Sequence, residues 1–236
     1  MAALTLLEAR NLTRHFDGLK AVDGVDFDLH QGEIHALIGP NGAGKTTFVS
    51  LLSGRIPVQA GSIRFSGRDI TRLPAHARVR AGIAYTFQIT QIYAALSVFD
   101  NVALSVQSHG SRHLGDDTMA ALTRVGLEER ADQVAGTLSY GHQRLLEVAM
   151  GLALKPKLLI LDEPTQGLAN DEIATFKTLV RSVVPDATVL LIEHNMDVVM
   201  DLAHRITVLN FGEVLAQGTP DAVRANAAVQ AAYLGD

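Results

Sequence analysis

Gly39-Pro40-Asn41-Gly42-Ala43-Gly44-Lys45-Thr46-Thr47 is the stretch whose reading decides the fold. It has the form G-x-x-x-x-G-K-[ST], the pattern of a loop that cradles phosphate. The apolar run Ile34 to Ile38 precedes it and suits a buried parallel strand. Phe48, Val49, Leu51 and Leu52 follow at helical spacing before Ser53-Gly54. Strand, glycine loop and helix, in that order, is the setting that gives the pattern its meaning. The glycines let successive backbone N–H groups turn inward on phosphate oxygens, and the helix N-terminus adds its positive end. Lys45 can reach the β- and γ-phosphates, and the Thr46 hydroxyl can serve Mg²⁺. The competing reading, an ordinary glycine turn, loses ground as further motifs accumulate.

At 236 residues the chain can bury a sizeable core, as one large domain or as a domain with an inserted lobe. Lys and Arg total 20 against 25 Asp and Glu, a formal charge of −5 with a pI near 6.0. That balance argues against nucleic acid as a partner, which would favour a basic face. The absence of cysteine excludes disulfides, zinc-thiolate sites and thiol catalysis and is compatible with a reducing compartment. No apolar run approaches the ~18 residues of a membrane span. Met1 to Ala9 lacks the basic start and the length of a signal peptide, so a soluble, cytoplasmic chain is expected. A mean hydropathy of +0.17 leaves room for a surface buried against a partner.

Leu4 to Phe16 and Val25 to Leu29 alternate as half-exposed antiparallel strands do, and Gly61 to Gly67 reads as a short strand returning to that small sheet. Pro74 to Arg80 reads as a helix and Ile83 to Phe87 as a strand. From about Thr90 to Leu154 strand signals vanish. One helix opens at Leu96 to Asp100, another contains Met119 to Val125, and the polar stretch Ser108 to Asp117 reads as the loop between them. The α/β texture then resumes. Leu158 to Leu161 is a continuous apolar strand, Thr175 to Val184 a helix, Thr188 to Ile192 a second buried strand and Asn195 to Ala203 a helix. Ile206 to Leu209 and Glu213 to Ala216 form a hairpin around Phe211-Gly212, and Pro220 to Leu234 is helical.

Asp162-Glu163 ends the apolar strand, in the manner of a Walker B segment. A carboxylate at the C-terminal tip of a parallel strand lies in the crevice where α/β sheets bind ligands. Asp162 is placed to hold Mg²⁺, and Glu163 to polarise an attacking water as general base. Strands that merely end in solvated acids are the alternative. Leu138-Ser139-Tyr140-Gly141-His142-Gln143 opens a long helix for which Ser139 is a good N-cap, although capping explains neither the glycine nor the glutamine.

Leu-Ser-x-Gly-x-Gln, set between the glycine loop and Leu158 to Pro164, resembles the signature motif of ABC ATPases. The resemblance covers essentially the whole chain. It implies a P-loop NTPase fold of the α/β class: a mostly parallel core sheet, a small antiparallel β subdomain and an inserted α-helical subdomain. As one ABC ATPase domain over 1–236, the core would take about 1–88 and 155–236 and the helical part about 89–154. It also implies ATP sandwiched between the P-loop of one subunit, Gly39 to Thr47, and the signature of a second. In that arrangement Phe16 faces adenine with Val22 beside it. Gln88 offers its amide to Mg²⁺ or the attacking water. Ser139 and the Gly141 amide meet the γ-phosphate of the opposite ATP, and His194 hydrogen-bonds that phosphate.

Three positions depart from the family pattern. Tyr140 stands where glycine is usual, His142 where glutamine is usual, and Ala169 where the D-loop usually carries aspartate. A slower or asymmetric site is expected. Tyr85 to Gln88, Leu138 to Gln143, Leu191 to Met196 and Ala232 to Gly235 look like the ATP-binding subunits of branched-chain amino acid importers. Gln166 to Ala169 is closer to the companion subunit of the same importers. Leu73 to Arg78 and the Tyr-Leu-Gly ending are shared with lipopolysaccharide-export ATPases, the main alternative. Importers of urea or amides are another. A non-transport ABC protein is less favoured, for want of a coiled coil, cysteines or a second cassette. So is another P-loop enzyme, for want of a guanine motif.

The implied partners are a second ABC ATPase subunit, identical or homologous, and integral membrane permease subunits. Indirectly, a periplasmic or extracellular solute-binding protein joins them. The implied location is peripheral, on the cytoplasmic face of the membrane. Ile89 to Phe99, with Ile92, Tyr93, Leu96 and Val98, reads either as the docking segment for the permease or as packing of the helical lobe.

Overall fold

The computed structural model describes residues 4–86, 91–184 and 186–234. Gln88, and with it the expected end of the strand at Phe87, lies outside them. β1 (Thr5–Phe16) and β2 (Leu19–His30) pair antiparallel, with Phe16 opposite Leu19 across the turn. β3 (Ile34–Ile38) is buried along its whole length and runs through the glycine loop into α1 (Lys45–Ser53). The chain then returns to the first sheet. β4 (Ala60–Phe65) lies antiparallel to β1 and β5 (Arg68–Asp69) closes the edge, giving the order β2-β1-β4-β5.

α2 (Ala75–Ala81), with Pro74 as N-cap, leads to β6 (Ile83–Tyr85). Three helices follow: α3 (Val98–His109), α4 (Leu114–Val125) and α5 (Tyr140–Ala153). The remainder alternates as β7 (Leu158–Asp162), α6 (Asn170–Val183), β8 (Thr188–Ile192), α7 (Met196–Leu202), β9 (Arg205–Asn210) and β10 (Glu213–Gly218). It closes with α8 (Pro220–Arg224) and α9 (Ala227–Leu234). The second sheet has the order β10-β9-β3-β8-β7-β6, parallel at every junction but β10–β9.

Period-two geometry divides β7 between two cores. Leu158 and Ile160 join α1 and the antiparallel sheet, where Phe27 and Phe48 meet edge-on at 5.3 Å. Leu159 and Leu161 join the helical segment, packing with Val102, Leu122, Leu146 and Phe176. α1 is therefore clamped by a buried apolar face, and Phe48→Ala is expected to cost about 3–5 kcal/mol. The far end of α1 is held by Arg78, which is only 1% exposed. Its Nη1 donates to the carbonyls of Leu51 and Leu52 at 2.6 and 2.8 Å, a cation seated on the negative end of the helix. Burial pulls its pKa down to about 10.

Several element ends differ from the sequence reading, each for a local reason. The polar stretch expected as a loop is largely helix. α3 runs on to a left-handed Gly110, and Asp116 and Asp117 fill the first turn of α4, where acids suit the helix dipole. α6 begins five residues earlier than expected because Asp171 and Glu172 are likewise first-turn acids. The closing helix is two helices. Asn226 interrupts it and accepts N–H bonds from Ala228 and Val229 at 2.9 and 3.2 Å.

Candidate functional site

Strand register brings the site together. Leu37 of β3 pairs with Ile192 of β8, which pairs with Asp162 of β7. Three parallel strands thus end level, and Gly39, Glu163 and His194 follow within two residues. A cleft of about 680 Å³ opens there, lined by residues 18–21 and 41–47, Glu163 and Phe211. Its floor tolerates no side chain at two points. A Cβ on Gly39 would lie 2.2 Å from the carbonyl oxygen of Leu209, and one on Gly44 2.1 Å from that of Ala21. The Gly212 N–H donates to the Ala43 carbonyl at 3.0 Å, fastening the loop to the β9–β10 turn.

Lys45 is 9% exposed and braces the loop from within: Nζ donates to the Gly39 and Pro40 carbonyls at 2.6 and 3.0 Å. Burial lowers its pKa, while the charges of Glu163 and Asp162 work against that shift. Asp162 is buried, and burial raises its carboxyl pKa; a hydrogen bond from the Tyr85 hydroxyl to Oδ2 acts in the opposite sense. Tyr85 itself is held protonated, first by burial and then by that bond. The Arg55 guanidinium lies 4.8 Å over its ring.

Glu163 has a left-handed backbone, φ 46°, a conformation that costs a non-glycine residue about 1–3 kcal/mol. The backbone is secured on both sides. Its N–H donates to the Ile192 carbonyl at 2.9 Å, and its carbonyl accepts from Arg144 Nη2 at 3.0 Å. His194 Nδ1 stands 3.8 Å from Glu163 Oε1. Lys45, Thr46 and Glu163 therefore line one cleft, with Asp162 next to Glu163 at the tip of β7 and His194 3.8 Å from the Glu163 carboxylate. A basic nitrogen, a hydroxyl, carboxylates and helix-start N–H groups form a donor and acceptor set suited to a polyphosphate with a hard cation. Among the described residues no group of three or more His, Cys, Asp or Glu could hold a metal ion.

Ser139 and Gly141 do not enter this cleft in the same chain. Ser139 caps α5, its Oγ accepting from the His142 N–H at 3.3 Å and lying 2.9 Å from His142 Nδ1. Gly141 lines a separate cavity of about 130 Å³ between α5 and α6. The substituted Tyr140 packs on the D-loop, its ring 3.1 Å from where a Cβ on Gly167 would lie.

One expectation on the base-binding side needs correction. Val22 is fully buried in the core of the antiparallel sheet and presents no surface to a ligand; Leu19, Lys20 and Ala21 reach the cleft instead. Phe16 is exposed at the β1–β2 turn, and the Arg14 guanidinium lies over its ring at 4.7 Å.

The segment after residue 90 divides between both readings given to it. Val98 is buried and Ile92 packs on the helical core, whereas Tyr93 is 59% and Leu96 37% exposed. Asn101, fully buried, accepts from the Tyr93 N–H at 2.8 Å and donates to the carbonyls of Tyr93 and Ser97 at 3.1 and 2.8 Å. Asn101, Tyr85 and Arg144 were missed from sequence. The one available signal was polarity at helix or strand positions whose neighbours are apolar.

The profile described as "ABC transporter" matches residues 22–166, and that of "Branched-chain amino acid ATP-binding cassette transporter" matches 213–236. The chain is 38% identical to the high-affinity branched-chain amino acid transport ATP-binding protein BraF of Pseudomonas aeruginosa, over 98% of both chains. It is 36% identical to LivG of Escherichia coli, again over 98% of both. The lipopolysaccharide export system ATP-binding protein LptB of Escherichia coli is 33% identical, over 100% of this chain and 98% of that one. Among solved structures, a nucleotide-free ATP-binding cassette from an ABC transporter superposes with a TM-score of 0.91 at 26% identity, covering 99% of this chain and all of that one. Among the described residues no helix is long and apolar enough to cross a membrane.

Proposed function

This chain belongs to the ABC transporter family, and from that premise we propose that it is the ATP-hydrolysing subunit of a branched-chain amino acid importer. The observation that carries the catalytic part is the meeting of Lys45, Asp162, Glu163 and His194 at three strand ends held in register. The substrate class is supported by the match of residues 213–236 and by the full-length relatives.

ATP is the substrate. The amides at the start of α1 and Lys45 bind its phosphates, and Lys45 exchanges its carbonyl partners for phosphate oxygens. Thr46 and Asp162 would hold Mg²⁺, with Gln88 as a further ligand. When bound, the ion neutralises charge on the phosphate oxygens. Glu163 takes a proton from water, and His194 steadies the γ-phosphate. The site is completed when Ser139 of the partner subunit and the partner's Gly141 close over the nucleotide, because neither enters the cleft of its own chain. Closure reaches the permeases through the helical segment, with Tyr93 and Leu96 as the exposed apolar contact on the cytoplasmic side. The difference in ATP affinity between open and closed dimers drives the exchange.

The test is reconstitution of this chain with a second cassette, the membrane subunits and the solute-binding protein. Leucine, isoleucine or valine is expected to accelerate ATP hydrolysis. Stimulation by lipopolysaccharide and not by these amino acids would overturn the import reading.

A further inference from the structure

Glu193 follows the apolar strand β8 and is 1% exposed, and the hydrolysis set out above gives it no task. A buried carboxylate is costly unless donors satisfy it. Here four do. Oε1 accepts from the Thr165 N–H at 3.0 Å and from the Thr165 hydroxyl at 2.6 Å. Oε2 accepts from the backbone N–H groups of His194 and Asn195 at 3.2 and 3.3 Å.

One side chain therefore joins two loops. The first leaves β7 and carries Glu163 and Thr165; the second leaves β8 and carries His194. Where they leave the sheet, a backbone hydrogen bond joins them, Glu163 N–H to the Ile192 carbonyl at 2.9 Å. The His194 side chain is 57% exposed and lies 3.8 Å from Glu163, too far for a hydrogen bond, so its placement depends on its backbone. That backbone is held by Glu193.

We propose that Glu193 is a positioning residue for ATP hydrolysis, its two oxygens setting His194 and the Thr165 loop in register with Glu163. The inference rests on Glu163 and His194 acting as described above. It needs a group with two acceptors. Glutamine has the same shape but one acceptor oxygen, so its NH₂ would face either the Thr165 donors or the His194 and Asn195 donors.

ATP hydrolysis by the full chain in its transporter, measured against ATP concentration with thermal unfolding as the fold check, tests this. Glu193→Gln is expected to lower kcat on the order of 10- to 100-fold, as lost supporting hydrogen bonds do elsewhere, with KM within about twofold. Thr165→Val should lower kcat in the same sense and Thr165→Ser should restore it. Glu193→Gln combined with His194→Ala should lose less than the product of the two single losses, since part of what Glu193 does runs through His194. A folded Glu193→Gln with unchanged kcat beside an inactive His194→Ala would overturn the proposal. So would fully multiplicative losses in the double variant. If Glu193→Gln does not fold, Thr165→Val decides, and its normal turnover is equally fatal. Full turnover by Glu163→Gln would overturn the underlying reading as well.

Discussion

Arg144 of α5 donates from Nη2 to the carbonyl oxygen of Glu163 at 3.0 Å. The helical segment that carries Ser139 and Gly141 thus touches the peptide of the proposed general base. Arg144 is fully buried and paired with Glu147 at 2.8 Å. Arg144→Ala strips the buried Glu147 carboxylate of its cation and is expected to cost about 3–5 kcal/mol. The Arg144→Met, Glu147→Leu pair is expected to recover most of that loss while ATP hydrolysis stays impaired, since the bond to Glu163 is still missing. Urea unfolding and phosphate release, measured on the same preparations, separate the two effects.

Glu163→Gln should bind ATP normally while hydrolysis falls by roughly 10²–10⁴-fold, the range for loss of a general base. Nucleotide binding by equilibrium titration and single-turnover phosphate release are the checks. Lys45→Ala is expected to fail earlier, at binding, and nucleotide affinity equal to wild type would remove the P-loop from the mechanism.

The hydrogen bond from Tyr85 to Asp162 predicts a pH effect. Burial raises the Asp162 pKa and the Tyr85 bond restrains that rise, so Tyr85→Phe lets it climb further. Asp162 must be ionised to hold a cation. The acid limb of the pH–rate profile should therefore move to higher pH in Tyr85→Phe. A profile that stays in place, or moves to lower pH, contradicts the assignment.

A second pH effect concerns stability. His35 is fully buried, with Nδ1 3.1 Å from Glu33 Oε1 and Nε2 2.8 Å from Thr207 Oγ1. Burial lowers its pKa below the ordinary 6.5, with Glu33 opposing. The unfolded chain therefore takes up the proton first. The stability held by neutral His35 is complete above the ordinary histidine range and declines as pH falls from there towards the depressed folded value. Melting temperature should drop over that interval, and drop less in His35→Gln.

The parts of this molecule that were legible in the sequence are those whose cause is local. A fully buried parallel strand reads as an unbroken apolar run, which is why Ile34 to Ile38, Leu158 to Leu161 and Thr188 to Ile192 stood out. The glycine loop likewise carries its geometry in its own residues. Val22 misled because the phase of β2 is set by its pairing with β1, where Val22 lies opposite Arg14 across register shifts. Arg144 and Glu193 were illegible for a related reason. Their partners Glu163 and Thr165 stand 19 and 28 positions away in the chain, and only the assembled sheet makes them neighbours. Helix ends were misjudged wherever first-turn acids such as Asp116 and Asp171 looked like loop.

The strand before the glycine loop has its two sheet partners in β8 and β9, both beyond residue 187. The loop's own brace, Gly212, comes later still. During synthesis from the N-terminus, β3 therefore leaves the ribosome without a neighbour and remains an unpaired apolar segment until most of the chain has been made. Contacts of such long separation make for slow closure. The phosphate cradle, early in this sequence, can be completed only once β8, β9 and Gly212 have been made, so a chain cut short before β8 lacks the strands that hold it.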